Sequence, residues 1–235
     1  MSNSTPMSLV NVFVEPKSVF DNLKENKKWA VLGLLLIIAV TSVSSMMFFG
    51  GMSPEWLIEQ QLMAAGDMST SEREAAKQGM EMMADYMGIM AAVSSAVMLP
   101  AITFIFTVYY LVIGSSAANT KPDFKFGDWF VFTIWTQMPG LVNTLGFCAL
   151  FFTAASGDLP LSLINYASLN QLVLGYLPGD ALYQWAESIN LFSLWSIVIA
   201  AIGFNRCCKM PMVKAFIFSA LPLVVIFLGW FVLFT

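Results

Sequence analysis

Residues 29–53 read WAVLGLLLIIAVTSVSSMMFFGGMS and contain no Asp, Glu, Lys or Arg. The chain has four further uncharged apolar runs, at residues 86–120, 129–157, 188–205 and 215–235. A helix needs about 20 apolar residues to cross the roughly 30 Å hydrocarbon core of a bilayer. Each run approaches or exceeds that length, so the sequence predicts a protein that crosses a membrane several times.

The composition predicts a single bundle of membrane helices. Hydrophobic residues make up 58% of the chain and charged residues 11%, which leaves too little polar surface to cover a soluble domain of this length. Membrane β-barrels show short alternating strands, whereas these runs are long and continuous. We therefore expect an all-α integral membrane fold in which a cytoplasmic segment, residues 1–28, precedes one membrane domain, residues 29–235. Its five transmembrane helices are predicted at about residues 29–50, 87–113, 129–155, 188–205 and 213–234.

The basic residues predict the orientation of these helices, because Lys and Arg are enriched in cytoplasmic loops. Nine of the eleven basic residues fall before span one, between spans two and three, or between spans four and five. They are Lys17, Lys24, Lys27, Lys28, Lys121, Lys125, Arg206, Lys209 and Lys214. The N-terminus is thus predicted in the cytoplasm and the C-terminus outside. Residues 159–179 are also uncharged, but several polar residues and two prolines predict an interfacial or re-entrant helix on the outer face.

The segment before the first span carries an apolar stripe with helical spacing. Its members are Leu9, Phe13, Pro16, Phe20 and Leu23. Proline disrupts the interior of a short helix, so we expect a break, with Pro16 in the first turn of the second piece. Three lysines follow the stripe: Lys24, Lys27 and Lys28. Together these residues predict an interfacial helix on the inner leaflet, and docking of a partner protein is the alternative.

The first outer loop, residues 54–85, has the pattern of a helical hairpin. Pro54 begins a helix, Gly66 ends it, and a capping box at residues 71–74 begins a helix that runs without a break into span two. Four methionines follow helical spacing there: Met80, Met83, Met87 and Met90. Thioethers are soft ligands for Cu(I), but methionine also fills gaps between helices. Packing is the main interpretation, and an outer-face copper site is the weaker alternative.

The chain lacks residue types on which many catalytic and ion-coupling mechanisms depend. It has no histidine, which removes Ser–His and Cys–His nucleophile pairs and most catalytic zinc sites. No predicted span contains a central Asp or Glu, which argues against ion-coupled transport. We therefore expect no enzyme activity, no cofactor and no nucleic-acid partner.

The third predicted span contains the one candidate binding position inside the membrane. Pro139 frees a backbone carbonyl and bends the helix, and Gln137 and Asn143 flank it. A polar pocket at this bend would suit a transporter or channel, whereas hydrogen bonding between helices is the alternative interpretation. In span two, a stripe of small residues suited to close helix packing comprises Gly88, Ala92 and Ala96.

One ordered set of residues extends over nearly the whole chain. It begins with Phe13, Pro16, Val19, Phe20, Leu23, Glu25 and Trp29. It continues with Phe126 before span three, Pro139 inside it, Trp195 in span four and a basic turn at residues 206–214. This order resembles the Yip membrane family, the Ypt-interacting proteins, whose first span follows an F-x-x-P-x-x-x-F-x-x-L sequence. The resemblance implies five spans with a cytoplasmic N-terminus and an outer C-terminus.

The resemblance also implies a non-enzymatic role in membranes. Eukaryotic relatives reside in Golgi and ER membranes, bind prenylated Rab-type GTPases and assist vesicle formation; they carry a long N-terminal region and a D-L-Y-G-P motif that are not found here. We therefore expect a prokaryotic member in a plasma membrane, with a Golgi or ER membrane as the alternative. The expected function is a scaffold or adaptor for membrane lipids and for membrane or cytoplasmic proteins, with a homo-oligomer as an open expectation. A small-molecule or lipid transporter using span three is the alternative.

Overall fold

The computed structural model describes residues 5–66 and 68–234, and over these residues the chain forms helices and turns but no β-strand. The helices are α1 (Ser8–Val14), α2 (Pro16–Asp21), α3 (Lys27–Gly50), α4 (Pro54–Ala64), α5 (Thr70–Met83), α6 (Met87–Ser116), α7 (Phe126–Gln137), α8 (Pro139–Thr153), α9 (Tyr183–Ser188), α10 (Leu191–Cys208) and α11 (Met212–Phe234). The predicted all-α fold is confirmed.

Four stretches among the described residues are long and apolar enough to cross a membrane. They are Lys27–Gly50, Thr70–Ser116, Leu191–Cys208 and Met212–Leu233, with mean hydropathy from 1.6 to 2.6. The predicted multi-pass integral membrane protein is therefore confirmed. The third predicted span is divided at Pro139 into α7, with 12 residues, and α8, with 15 residues. Neither helix alone has the length of a membrane span.

The chain packs as two compact units. Unit 1 contains the described residues up to Ala39, together with Val97–Val142 and Phe192–Ile226. Unit 2 contains the described residues of Val40–Ala96, Asn143–Leu191 and those from Phe227 onward. Helices α3, α6, α8, α10 and α11 contribute residues to both units.

Unit 1 has an aromatic core. The rings of Phe132 and Phe204, both fully buried, lie 5.1 Å apart, and the Tyr110 ring packs edge-on to each of them. Such pairs contribute about 0.5–1.5 kcal/mol beyond their buried area. A Cβ at Gly203 would lie 2.6 Å from the Phe132 ring and 2.8 Å from the Phe20 ring. Glycine therefore allows these rings to rest on the backbone of α10.

Unit 2 has its own aromatic cluster and a close contact between two helices. The buried Phe48 ring lies 5.1 Å from Phe147 and 5.7 Å from Phe151. A Cβ at Gly88 would lie 2.7 Å from the Met46 carbonyl oxygen and 3.0 Å from the Gly50 Cα. Backbones of α3 and α6 thus meet at Gly88, as expected for a small residue at a helix interface.

Helices α4 and α5 form the predicted hairpin, but its second helix begins earlier than expected. Gly66 adopts a left-handed conformation (φ +78°) after α4. The capping residue of α5 is Ser69, since the Ser69 hydroxyl accepts from the Glu72 N–H and the Glu72 carboxylate accepts from the Ser69 N–H. The Ser69 hydroxyl also donates to the Glu72 carboxylate at 2.6 Å, and the two hydrogen bonds that this carboxylate accepts from Ser69 lower the pKa of Glu72. A 3-10 turn at Ala84–Tyr86 joins α5 to α6. The residues Thr70–Ser116 form one helical stretch of 47 residues, so the helix continues into span two as predicted, with a local change at this turn.

Residues 159–179 do not form the single helix that the sequence predicted. They contain a 3-10 turn at Leu161–Asn165 and one π-helical turn at Asn170–Leu174, which ends at Gly175 (φ +69°). The Asn170 side chain accepts from the Tyr176 N–H and donates to the Tyr176 carbonyl. An asparagine that bonds nearby backbone in this way competes with regular helix, and this explains the interruption.

Candidate functional site

The N-terminal segment is built as the proline pattern predicted. Helix α1 ends at Val14, and Pro16 occupies the first turn of α2. This position suits proline because its missing N–H would have no partner inside the helix. The predicted break is confirmed.

The apolar stripe of this segment faces the protein rather than the surroundings. Phe20 and Leu23 are only 3% and 2% exposed and belong to the core of unit 1. Leu9 and Phe13 pack against the same core, with the Phe13 ring 5.5 Å from the Trp195 ring. The sequence predicted contact with the membrane or a partner. In the structure, Phe20 packs on Phe132 of α7, Phe13 packs on Trp195 of α10, and Leu9 lies against Gly33 of α3.

A different face of α1 is exposed. Met7, Val10 and Val14 are 58%, 51% and 74% exposed. Their spacing of three and then four residues places them on one side of the helix. This is the apolar face that a lipid surface or a partner could contact.

Ion pairs fasten the N-terminal segment to the rest of unit 1. Arg206 donates to Asp21 through two nitrogens, at 2.8 and 2.7 Å. Lys24 pairs with the fully exposed Asp123 at 3.5 Å. A bidentate arginine–carboxylate pair also fixes geometry, so α2 is held in one orientation. Of the lysines predicted to dock, Lys28 lies 5.1 Å above the Trp29 ring.

Lys27 makes the most buried of these ion pairs. Its Nζ lies 2.6 Å from Oδ1 of Asp128, whose side chain is 4% exposed. Asp128 also accepts from the Lys125 N–H at 2.8 Å and so caps the start of α7. Burial by itself would raise the pKa of Asp128, but the hydrogen bonds from the Lys27 side chain and the Lys125 N–H, together with the charges of Lys27 and Lys24, outweigh it and lower the pKa.

A cavity of about 320 Å³ lies beside this segment in unit 1; we call it the charged cavity. Its apolar lining comprises Phe20, Leu23 and Phe124. Its charged lining comprises Asp21, Lys24, Glu25, Arg206 and Lys209. Lys209 has a positive φ of 53°, which is uncommon outside glycine and often marks a constrained turn. The site joins residues about 185 positions apart, and helical periodicity carries no signal for such a contact.

Gln137 forms a hydrogen bond between helices. The Thr103 hydroxyl of α6 donates to its Oε1 at 2.8 Å. One turn away, the Thr107 hydroxyl donates to Thr133 at 3.0 Å. These contacts join α6 to α7. Gln137 therefore makes a hydrogen bond between helices, which was the alternative to a polar pocket.

Asn143 lines a separate cavity of about 140 Å³ in unit 2. The other polar residues around it are Thr41, Ser44, Ser45 and Thr144, and its walls include Phe48, Phe49 and Phe147. Oδ1 of Asn143 is buried and accepts no hydrogen bond. Gln137 and Pro139 are not among the residues that line this cavity, and a binding pocket that combines them with Asn143 stays a prediction.

The four methionines do not form a uniform stripe. Met83 and Met90 are 44% and 42% exposed, whereas Met87 packs against the Phe48 cluster. Met80 is half-buried. The 3-10 turn between Met83 and Met87 has three residues per turn and changes the helical phase. Copper binding by these residues stays a prediction.

Comparison with known proteins gives one result. A model of the Yip1 domain matches residues 10–233. No curated protein and no solved structure matches the chain. The match spans both units and includes α2, the divided helix at Pro139 and the basic turn after α10, on which the resemblance in the sequence rested. The chain therefore belongs to the Yip1 domain family of membrane proteins.

Proposed function

We propose that this protein is a non-enzymatic membrane scaffold whose charged cavity docks a cytoplasmic protein. It crosses the membrane five times, with its N-terminus inside and its C-terminus outside. Membership of the Yip1 family and the absence of histidine support the non-enzymatic part. The docking part rests on the charged cavity.

The fifth crossing is made by α7 and α8 together. Met138, between them, keeps helical backbone angles (φ −55°, ψ −31°), so the backbone stays helical at the junction. As one helix, residues 129–153 would extend about 38 Å at 1.5 Å per residue, which exceeds the roughly 30 Å of hydrocarbon. This length supports a bent but complete span.

Charge supports the orientation. The segments assigned to the inside carry nine basic and five acidic residues, and those assigned to the outside carry two basic and ten acidic residues. Basic residues determine orientation through their preference for the cytoplasm. The opposite orientation would place nine of eleven basic residues outside.

The single observation that carries the docking proposal is that the charged cavity is already formed. Burial of Phe20 and Leu23 and the Arg206–Asp21 pair hold its walls. A partner therefore does not have to order the N-terminal segment, which saves part of the entropy cost of binding. A lining that combines apolar side chains with charges of both signs suits a protein segment that carries both apolar and charged side chains.

Site-specific photo-crosslinking in intact cells tests this function. A photoreactive residue at position 25, on the cavity rim, should give a discrete crosslinked species with a cytoplasmic protein. Lys209→Glu should abolish that species without changing the amount of protein in the membrane. The same photoreactive residue at position 74 of α5 is the control and should give none. Equal crosslinking from both positions, or a species that persists with Lys209→Glu, would refute docking at the charged cavity.

The cavity at Asn143 supports a second candidate function, transport of a small molecule. Its unpaired Oδ1 would accept a hydrogen bond from a hydroxyl or ammonium group of a solute. The volume of about 140 Å³ is below the roughly 300 Å³ of most ligand pockets, so only a small solute fits. Solute uptake that is lost when Asn143 is replaced would favour transport over the scaffold function.

A further inference from the structure

Glu187 carries a buried carboxylate, although the sequence predicted that it lies in an outer segment between two spans. It lies on α9 in unit 2 and is 3% exposed. Residues from the preceding loop cover it, and Ser168 and Asn170 nearby are 0% and 1% exposed. Glutamate is almost never fully buried without a partner, so its surroundings need an explanation.

The two oxygens of this carboxylate have different surroundings. Oε1 accepts from the side-chain amides of Asn170, at 2.9 Å, and Gln171. Oε2 is buried and receives no hydrogen bond. One oxygen of the carboxyl group is therefore held by two amide donors, and the other is buried and available to bind.

Nothing basic in the described part of the chain balances this charge. The ion pairs there join other residues, and no Lys or Arg occurs between Lys125 and Arg206. Buried charges in proteins are paired or coordinate metal ions. An external cation would supply the missing positive charge.

The backbone around Glu187 can provide further oxygen ligands. The π-helical turn at Asn170–Leu174 and the left-handed Gly175 interrupt regular helix beside it. The Ser168 and Asn170 carbonyl oxygens accept from the Leu172 and Gly175 N–H groups, so the ligands would come from other oxygens of this loop, and π-turns are frequent at functional sites. In membrane transporters, unwound backbone of this kind coordinates monovalent cations.

We propose that Glu187 binds a monovalent cation of the Na⁺ type through Oε2, with neutral oxygens of the 168–176 loop completing the site. One carboxylate supplies one negative charge, whereas Ca²⁺ sites collect several carboxylates. Within the described residues, no group of three His, Cys, Asp or Glu could hold a metal ion, which also favours a monovalent ion. This inference does not depend on the docking function.

Thermal unfolding of the purified full chain in detergent tests the site, with N-methylglucamine chloride replaced stepwise by NaCl at constant ionic strength. Na⁺ at ten times its dissociation constant should raise Tm by about 3 °C or more, and above that concentration the rise should continue with the logarithm of the Na⁺ concentration. Glu187→Gln should remove this rise. Glu74→Gln, which removes an exposed acidic residue from α5, is the matched control and should keep it.

Direct binding keeps the proposal testable if Glu187→Gln does not fold. Wild-type protein should then bind radioactive Na⁺ at one ion per chain. A wild-type Tm that is the same in both salts, or a Na⁺-dependent rise that persists with Glu187→Gln, would overturn the site. A rise that appears only with CaCl₂ would overturn the monovalent assignment.

Discussion

The Lys27–Asp128 ion pair should respond unequally to the loss of its two partners. Lys27→Met leaves Asp128 buried without its cation, and removal of one partner of a buried pair costs about 3–5 kcal/mol. The Lys27 side chain is 49% exposed, so some water reaches the site and we expect the lower end, about 3 kcal/mol. Asp128→Asn leaves a lysine that water can solvate and weakens only the cap of α7, at about 1 kcal/mol.

Thermal unfolding in detergent, followed by tryptophan fluorescence, measures this difference. At about 2–4 °C per kcal/mol for a chain of this size, Lys27→Met should lower Tm by about 9 °C and Asp128→Asn by about 3 °C. The double variant should be more stable than Lys27→Met alone. Lys28→Met removes a neighbouring lysine that contacts the Trp29 ring, and as the matched control it should change Tm little.

The stability that Asp128 contributes should depend on pH in a defined direction. In the wild type, the pKa of Asp128 lies below its ordinary value, so the stability from its ionised form is present above about pH 4 and is lost as the pH falls through the folded-state pKa. Without Lys27, burial raises that pKa, and the penalty of Lys27→Met should shrink as the pH falls toward about 4. Equal penalties for both single variants at neutral pH would refute the buried-carboxylate reasoning.

Three further substitutions test the helix contact at Gly88, the cavity at Asn143 and the cap of α5, by thermal unfolding and, for Asn143, by solute uptake. Gly88→Ala should destabilise by about 1–3 kcal/mol because its Cβ meets the Met46 carbonyl at 2.7 Å, whereas Gly79→Ala, which meets nothing within 4 Å, should not destabilise. Asn143→Leu should abolish solute uptake with the fold intact if its cavity transports, and should lower stability by about 1 kcal/mol or less if it only links helices. Ser69→Ala should cost about 1 kcal/mol through loss of the α5 cap, and unchanged stability would contradict the capping box.

The sequence predicted the elements that depend on local composition. Uncharged apolar runs located α3, α6, α10 and α11 within a few residues, because the need to cross hydrocarbon is a local property of length and hydropathy. The break before Pro16 was predictable because proline restricts its own backbone. The α5 cap was misplaced because Ser69 and Ser71 lie two residues apart and both suit a capping position.

Residues whose role depends on distant contacts were not predictable. Periodicity identified the apolar face with Phe20 and Leu23, but it does not show whether lipid, a partner or the protein covers that face. The burial of Glu187 arises from amide donors 16 and 17 positions earlier. Its only signal in the sequence was a long stretch without Lys or Arg, which leaves any buried carboxylate there without a basic partner.

Side-specific cysteine labelling tests the membrane arrangement on which the docking function depends. In a background where Cys148, Cys207 and Cys208 are replaced by alanine, single cysteines at position 123 and position 74 would be exposed to a membrane-impermeant maleimide in intact cells. Asp123 is fully exposed and Glu74 lies on exposed α5, so both sites react wherever the reagent reaches them. The account predicts labelling at 74 from outside and labelling at 123 only after the membrane is opened. Strong labelling at 123 in intact cells would contradict it.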